Sequence, residues 1–137
     1  MKAVILAAGE GNRLEPLTAN RPKPMIPVAN KPVLEYVVEA VADAGIQEIV
    51  LVVGYERSRI QSHFGDGDDW DVAIEYAVQE KQLGTGHAAL QARPHVDEPF
   101  LVLNGDRIID PTAIERVTTA CEGSDVEAIA TVTSVDI

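Results

Sequence analysis

Three short apolar runs, AVIL at 3–6, IVLVV at 49–53 and LVL at 101–103, are separated by stretches with helical spacing. Each run is too short for a buried helix and soon meets a glycine, which reads as a strand buried on both faces. Between the first two, Val33, Tyr36, Val37, Ala40, Val41 and Ala44 recur at helical spacing, and Gly45 is placed to stop that helix. Asn30 is expected to cap it, with Pro32 near its first turn, where a missing N–H costs nothing. Further on, ERSRIQSHF reads as a short helix carrying Ile60 and Phe64, and GDGDDWD as an acidic turn. VAIEYAV, Val72 to Val78, alternates like a more exposed strand, and GTGHAALQA is a glycine turn feeding a helix. FLVLN, Phe100 to Asn104, is a buried strand, PTAIERVTTAC a helix, and EAIATVTSV a last strand. Alternation of this kind predicts an α/β fold with a mostly parallel sheet covered on both faces. Ligands on such sheets bind beyond the carboxyl ends of the strands, and Gly9, Gly54 and Asp106 all lie just past strand ends.

The chain has 137 residues, which suits one domain, and is 46% apolar, enough to bury a core. With two Phe, one Trp and three Tyr, that core must be mostly Val, Ile, Leu and Ala. A single cysteine, Cys121, excludes an intrachain disulfide and a cysteine metal site. A lone cysteine and an amino terminus too short for a membrane span point to a cytoplasmic protein. The formal net charge of −11 argues against non-specific nucleic-acid binding, which needs a basic surface. It leaves two readings open, an ordinary acidic protein or one adapted to high salt, where repulsion is screened. Against that background Arg13, Arg21, Lys23 and Lys31 form a basic island interrupted by one acid, Glu15. Such an island suits either an anionic ligand or a solvated loop.

The island lies on a loop from Gly9 to about Asn30 that carries prolines at 16, 22, 24 and 27. Loops this long in compact domains are often functional. Its start is not a dinucleotide fingerprint, because Gly9 and Gly11 are succeeded by Leu14 where G-x-G-x-x-G needs a third glycine. Nor is it G-x-x-x-x-G-K-[ST]. What remains is a glycine backbone able to approach a ligand closely and to aim N–H groups at phosphate oxygens, with an arginine fork beside it.

The whole segment from Leu6 to Tyr36, LAAGEGNRLEPLTANRPKPMIPVANKPVLEY, resembles the signature of the sugar-1-phosphate nucleotidylyltransferases, which make nucleotide sugars. The family pattern is L-A-A-G-x-G-x-R-L-x-P-L-T-x-x-x-P-K-P-M-x-P-V, and residues 6–28 match every fixed position. QEKQLGTGHAA, Gln79 to Ala89, is similar to the base-recognition segment of uridylyl and thymidylyl members, and LVLNGD, Leu101 to Asp106, to the strand end that delivers a metal-binding aspartate. The resemblance implies a Rossmann-like three-layer sandwich. It implies that Leu6, Ala7, Ala8, Gly9 and Gly11 hold nucleoside and phosphates, and that Arg13 binds the triphosphate and the departing pyrophosphate. Lys23 would bridge the α-phosphate and the sugar phosphate. Gln79 would hydrogen-bond the pyrimidine, helped by Gly84 and Thr85, while Asn104 and Gly105 line the ribose and sugar side. Asp106 would be one of two Mg²⁺ ligands.

Such chemistry brings two anions together, and Mg²⁺ with two cationic side chains would offset their repulsion. The sugar phosphate attacks directly, so neither Cys121 nor any histidine is required as nucleophile. His87 is expected to pack or cap at its helix, His63 and His95 to lie at the surface, and Asp66, Asp68, Asp69 and Asp71 to form a solvated turn, since no glutamate closes a calcium loop there.

Family members continue beyond the length seen here. The resemblance therefore implies that residues 1–137 are the nucleotide-binding part of a nucleotidyltransferase domain, without its C-terminal sugar-binding part and second metal ligand. A sheet cut short exposes an edge, so self-association into a homo-oligomer is expected. The expected partners are UTP or dTTP and a sugar-1-phosphate, with no nucleic acid and no membrane. Alternatives are a non-catalytic regulatory nucleotide-binding subunit and a guanylyltransferase acting on mannose-1-phosphate.

Overall fold

The computed structural model describes residues 2–8, 25, 27–54, 57–80, 85–96, 100–105 and 109–122. Its frame is a four-stranded parallel sheet of β1 (Lys2–Ala7), β4 (Glu48–Val53), β5 (Ala73–Val78) and β6 (Phe100–Asn104). The spatial order is β5-β4-β1-β6. The chain thus steps outward from β1 through β4 to β5, then returns to the other side of β1 with β6. The order reverses between β1 and β6, the position where doubly wound sheets open a crevice at their carboxyl ends.

Alternation along β1 sends side chains to two cores. Ala3, Ile5 and Ala7 face α1 (Val33–Asp43), α2 (Arg57–Phe64) and α4 (Pro111–Glu122), where Leu34, Val37, Val38, Val41, Ile60, Phe64 and Ile114 pack on them. Val4 and Ala8 face the other way, with Val50, Val52 and Ala77, and are covered by Ala88 of α3 (Thr85–Leu90) and by Ala92. Helices on both faces make the expected three-layer α/β sandwich. The core is aliphatic, as the scarcity of aromatic residues required.

Two expectations are corrected. Asn30 does not cap α1. Pro27–Val28 (β2) and Lys31–Pro32 (β3) pair antiparallel, and Ala29 and Asn30 take φ of 50° and 70° in the two-residue turn between them. Left-handed φ at both central positions is the tight hairpin turn that matches strand twist, and asparagine tolerates it. Pro32 becomes the cap residue, with no side-chain cap bond, and α1 starts at Val33. The hairpin is tied to the helix by the Tyr36 hydroxyl, which donates to Val28 O at 2.8 Å, and by Lys31 Nζ, 2.8 Å from Glu39 Oε1.

The second correction concerns β6. It is an edge strand among the described residues, not a fully buried one. Leu101 and Leu103 pack on the α1 side, while Phe100 and Val102 are 39% and 43% exposed. An unbroken apolar run cannot distinguish a central strand from an edge, because pairing is decided by topology. The predicted strand EAIATVTSV lies outside the described residues.

Candidate nucleotide site at the carboxyl ends of the strands

Parallel register brings the expected residues onto one end of the sheet. Leu6 is level with Val52 and with Asn104, and Val52 with Ala77. Side chains at the same level in a parallel sheet share a face. Leu6, Ala8, Gly54, Gln79 and Asn104 therefore line the face on which α3 lies, at its carboxyl end. Ala7 points into the α1 core, so what it offers this end is backbone.

The ladder continues past the strand ends. Gly105 N donates to Leu6 O at 2.9 Å, and Gln79 N to Val53 O at 2.8 Å. Both continuations depend on close approach. A Cβ on Gly105 would meet Leu6 O at 3.0 Å, Leu34 Cδ1 at 3.1 Å and Ile5 Cγ2 at 3.2 Å. A Cβ on Gly54 would lie 2.8 Å from Gln79 O and 3.3 Å from Ala8 Cβ. Glycine is used at both places for room.

Gln79 is the one buried polar side chain among the described residues, at 3% exposure. Its Nε2 lies 2.9 Å from Nδ1 of His87 on α3. His87 is held in turn by Gln91, whose Nε2 donates to His87 O at 3.1 Å. Thr85 is the first residue of α3. The structure thus brings together Leu6, Ala7, Ala8, Gln79, Asn104 and Gly105. Arg13, Lys23, Gly9, Gly11, Gly84 and Asp106 lie outside the described residues. Met25, two residues after Lys23, packs against the α1 core.

The contact between Gln79 and His87 goes beyond the packing or capping role that the sequence suggests for His87. The two lie eight positions apart, and no periodicity marks a contact between a strand end and the next helix. The remaining histidines lie elsewhere: His63 Nε2 is 2.8 Å from Glu35 Oε1, and His95 Nδ1 is 3.2 Å from Glu75 Oε2. Asp66 Oδ1 accepts Asp68 N at 3.1 Å in a turn whose acids are exposed, as expected of a solvated loop. Among the described residues no three His, Cys, Asp or Glu cluster as a metal site, and no helix is long and apolar enough to cross a membrane.

Comparison with known proteins agrees with this geometry. A profile of the nucleotidyl transferase family matches residues 2–136. The bifunctional protein GlmU of Methanococcus vannielii is 50% identical over 115 residues, covering 84% of this chain and 27% of that protein. The UTP–glucose-1-phosphate uridylyltransferase AglF of Haloferax volcanii is 43% identical over 110 residues, covering 80% of this chain and 45% of its own. Among solved structures, a Bacillus anthracis protein described as a glucose-1-phosphate thymidylyltransferase superposes with a TM-score of 0.84 at 29% identity, covering 91% of this chain and 51% of that one. A UDP-glucose pyrophosphorylase complexed with UDP-glucose gives a TM-score of 0.74 at 27% identity, covering 89% and 53%. The chain spans about a quarter to under half of these two relatives, and about half of each solved chain. On the matched signature, the sheet order and these likenesses, the chain belongs to the nucleotidyl transferase family.

Proposed function

We propose that this chain is the nucleotide-binding part of an enzyme that transfers UMP or dTMP from a nucleoside triphosphate to a sugar-1-phosphate. An oxygen of the sugar phosphate attacks the α-phosphorus, the bond to the β-phosphate oxygen breaks, and pyrophosphate leaves. The carrying observation is that Leu6, Ala8, Gln79, Asn104 and Gly105 all lie at the carboxyl end of the sheet, Leu6 and Gly105 joined at the β1–β6 junction and Gln79 two strands away at the end of β5. The name of AglF and the UDP-glucose held by one solved relative support a pyrimidine nucleotide.

In this reading the backbone from Leu6 to Gly11 approaches the phosphates, Arg13 neutralises the departing pyrophosphate, and Lys23 steadies the α-phosphate between its two partners. Gln79 faces the base, helped by Gly84 and Thr85. Asn104 and Gly105 line the ribose and sugar side. The donor set suits Mg²⁺, which favours one or two carboxylates plus phosphate oxygens and water. Asp106 would hold it, one residue beyond Gly105, whose N–H is pinned to the end of β1. When bound, the ion offsets charge on the phosphates.

Calorimetric titration with UTP, dTTP, GTP and NADH, with and without Mg²⁺, tests the reading. A magnesium-dependent preference for UTP or dTTP is the expected result. Tighter binding of NADH, or of GTP, would overturn it. Turnover of sugar phosphate by these 137 residues is expected to be weak or absent while nucleotide binding is retained.

A further inference from the structure

The hairpin of β2 and β3 holds a strained residue and is fastened on one side. Ala29, at its tip, takes φ of 50°, a left-handed value that a residue with a Cβ adopts only at a cost. Such a conformation persists where its surroundings over-determine it. Here α1 does so. The Tyr36 hydroxyl donates to Val28 O at 2.8 Å. Lys31, directly opposite Val28 in the pair, reaches Glu39 Oε1 at 2.8 Å and Oε2 at 3.0 Å, with its Nζ 4.7 Å above the centre of the Tyr36 ring. Both arms of the hairpin are thus tied to the same face of α1. Glu35 on that helix is in turn 2.8 Å from His63 of α2, so the support behind the hairpin is itself braced.

The place of the hairpin gives this fastening a use. Leu34, two residues after β3, has its Cδ1 3.1 Å from where a Cβ on Gly105 would lie, and Gly105 N is bonded to Leu6 O. The first turn of α1 therefore stands against the carboxyl ends of β1 and β6. Pro27 pairs with Pro32, so the chain enters the hairpin beside the point where it leaves for α1. Lys23 lies outside the described residues, but only two peptide steps tie it to Met25, which packs against the α1-side core. Two steps span at most about 7 Å between Cα atoms. A displacement of the hairpin is accordingly passed to Lys23 through very little chain.

We propose that Tyr36 is a positioning residue: its bond to Val28 holds the hairpin on α1 and thereby sets where Lys23 is presented to the phosphates. The inference rests on Lys23 meeting the α-phosphate, and the test separates the two. UTP is titrated calorimetrically with Mg²⁺ into the 137-residue chain and into Lys23→Ala, Tyr36→Phe and the double variant, each checked by thermal melting. Phenylalanine keeps the ring beneath Lys31 and removes only the hydroxyl, so the variant is expected to fold. Lys23→Ala should weaken binding roughly tenfold or more, as loss of a charged hydrogen bond does. Tyr36→Phe should weaken it about fivefold in the unaltered chain and leave it unchanged once Lys23 is gone. A hydroxyl that serves folding alone would cost the same in both backgrounds. Affinity unchanged in Lys23→Ala overturns the phosphate contact and the inference with it. Affinity that falls in Lys23→Ala but holds in Tyr36→Phe overturns the inference alone, as does an equal loss from Tyr36→Phe with and without Lys23.

Discussion

The carbonyl oxygen of Gln79 occupies the space a side chain on Gly54 would need: a Cβ there would lie 2.8 Å from it. The clash is with backbone, which cannot swing aside as a flexible side chain would. Gly54→Ala must therefore push the end of β5 away from β4, against the bond from Gln79 N to Val53 O. A loss of about 1–3 kcal/mol is expected from denaturant unfolding, the range for overpacking. UTP affinity should fall further than that of a variant equally destabilised in the α1 core. Equal loss in both would show that Gly54 serves folding alone.

Leu34 gives a prediction of its own. It is fully buried at the start of α1, and its Cδ1 would lie 3.1 Å from a Cβ on Gly105. Leu34→Ala removes the side chain that backs the turn out of β6. The expected cost is ~2–5 kcal/mol in urea or guanidinium unfolding. A cost well under that would mean the core collapses readily into the vacated volume.

Much of this arrangement is legible from residues 2–8, 48–54 and 100–105, because short apolar runs ending in glycine have few other uses in a chain of alternating elements. The placement of Leu6, Gln79 and Asn104 is legible for the same reason: parallel strands end together, so all three reach one end of the sheet without any long-range signal. Asn30 misleads because asparagine serves both helix caps and left-handed turns, and the choice is made by pairing of Pro27–Val28 with Lys31–Pro32. Phe100 and Val102 mislead because hydrophobicity does not reveal whether both faces of a strand are covered. His87 is legible as a helix residue but not as the partner of Gln79, since that contact depends on how α3 settles on Ala77 and Val52.

Tyr76 gives a prediction at high pH. Its hydroxyl donates to Gly65 O at 2.6 Å, and burial, reinforced by Asp66, pushes its pKa up to about 12 from 10.0. The folded state thus holds this proton more tightly than the unfolded chain. The resulting stabilisation is complete below pH 10 and is lost as pH rises from 10 toward 12. Ultraviolet titration of tyrosinate should show a late-ionising step, and Tyr76→Phe should remove it. The variant should also lose roughly 0.5–1.5 kcal/mol at neutral pH with its hydrogen bond. A late step that survives in Tyr76→Phe would assign it to another tyrosine.

Among the described residues β6 pairs only with β1, and Phe100 and Val102 stand exposed on its α3-side face. Exposed apolar side chains on that face offer a second copy of the chain a surface to pack on. Sedimentation equilibrium is expected to show a mass above 14.7 kDa at tens of micromolar protein, with Val102→Lys shifting it toward the monomer. A monomer mass at every concentration would remove self-association from the picture.

Charge makes the last prediction. Acids outnumber bases by 22 to 11, and the described cations that pair, such as Lys31 with Glu39 and Glu35, are local exceptions. At ~0.01 M salt the screening length is about 30 Å, comparable to a domain of this size, so the excess carboxylates repel one another across the whole molecule. At ~1 M it shrinks to about 3 Å and only neighbours interact. Compaction is opposed in the first case and barely opposed in the second. The melting temperature should therefore climb steadily with potassium chloride, most steeply at the low end where the screening length changes fastest. If instead the chain is fully stable in dilute buffer and indifferent to salt, its acids are dispersed well enough that high-salt adaptation fails as an explanation for them.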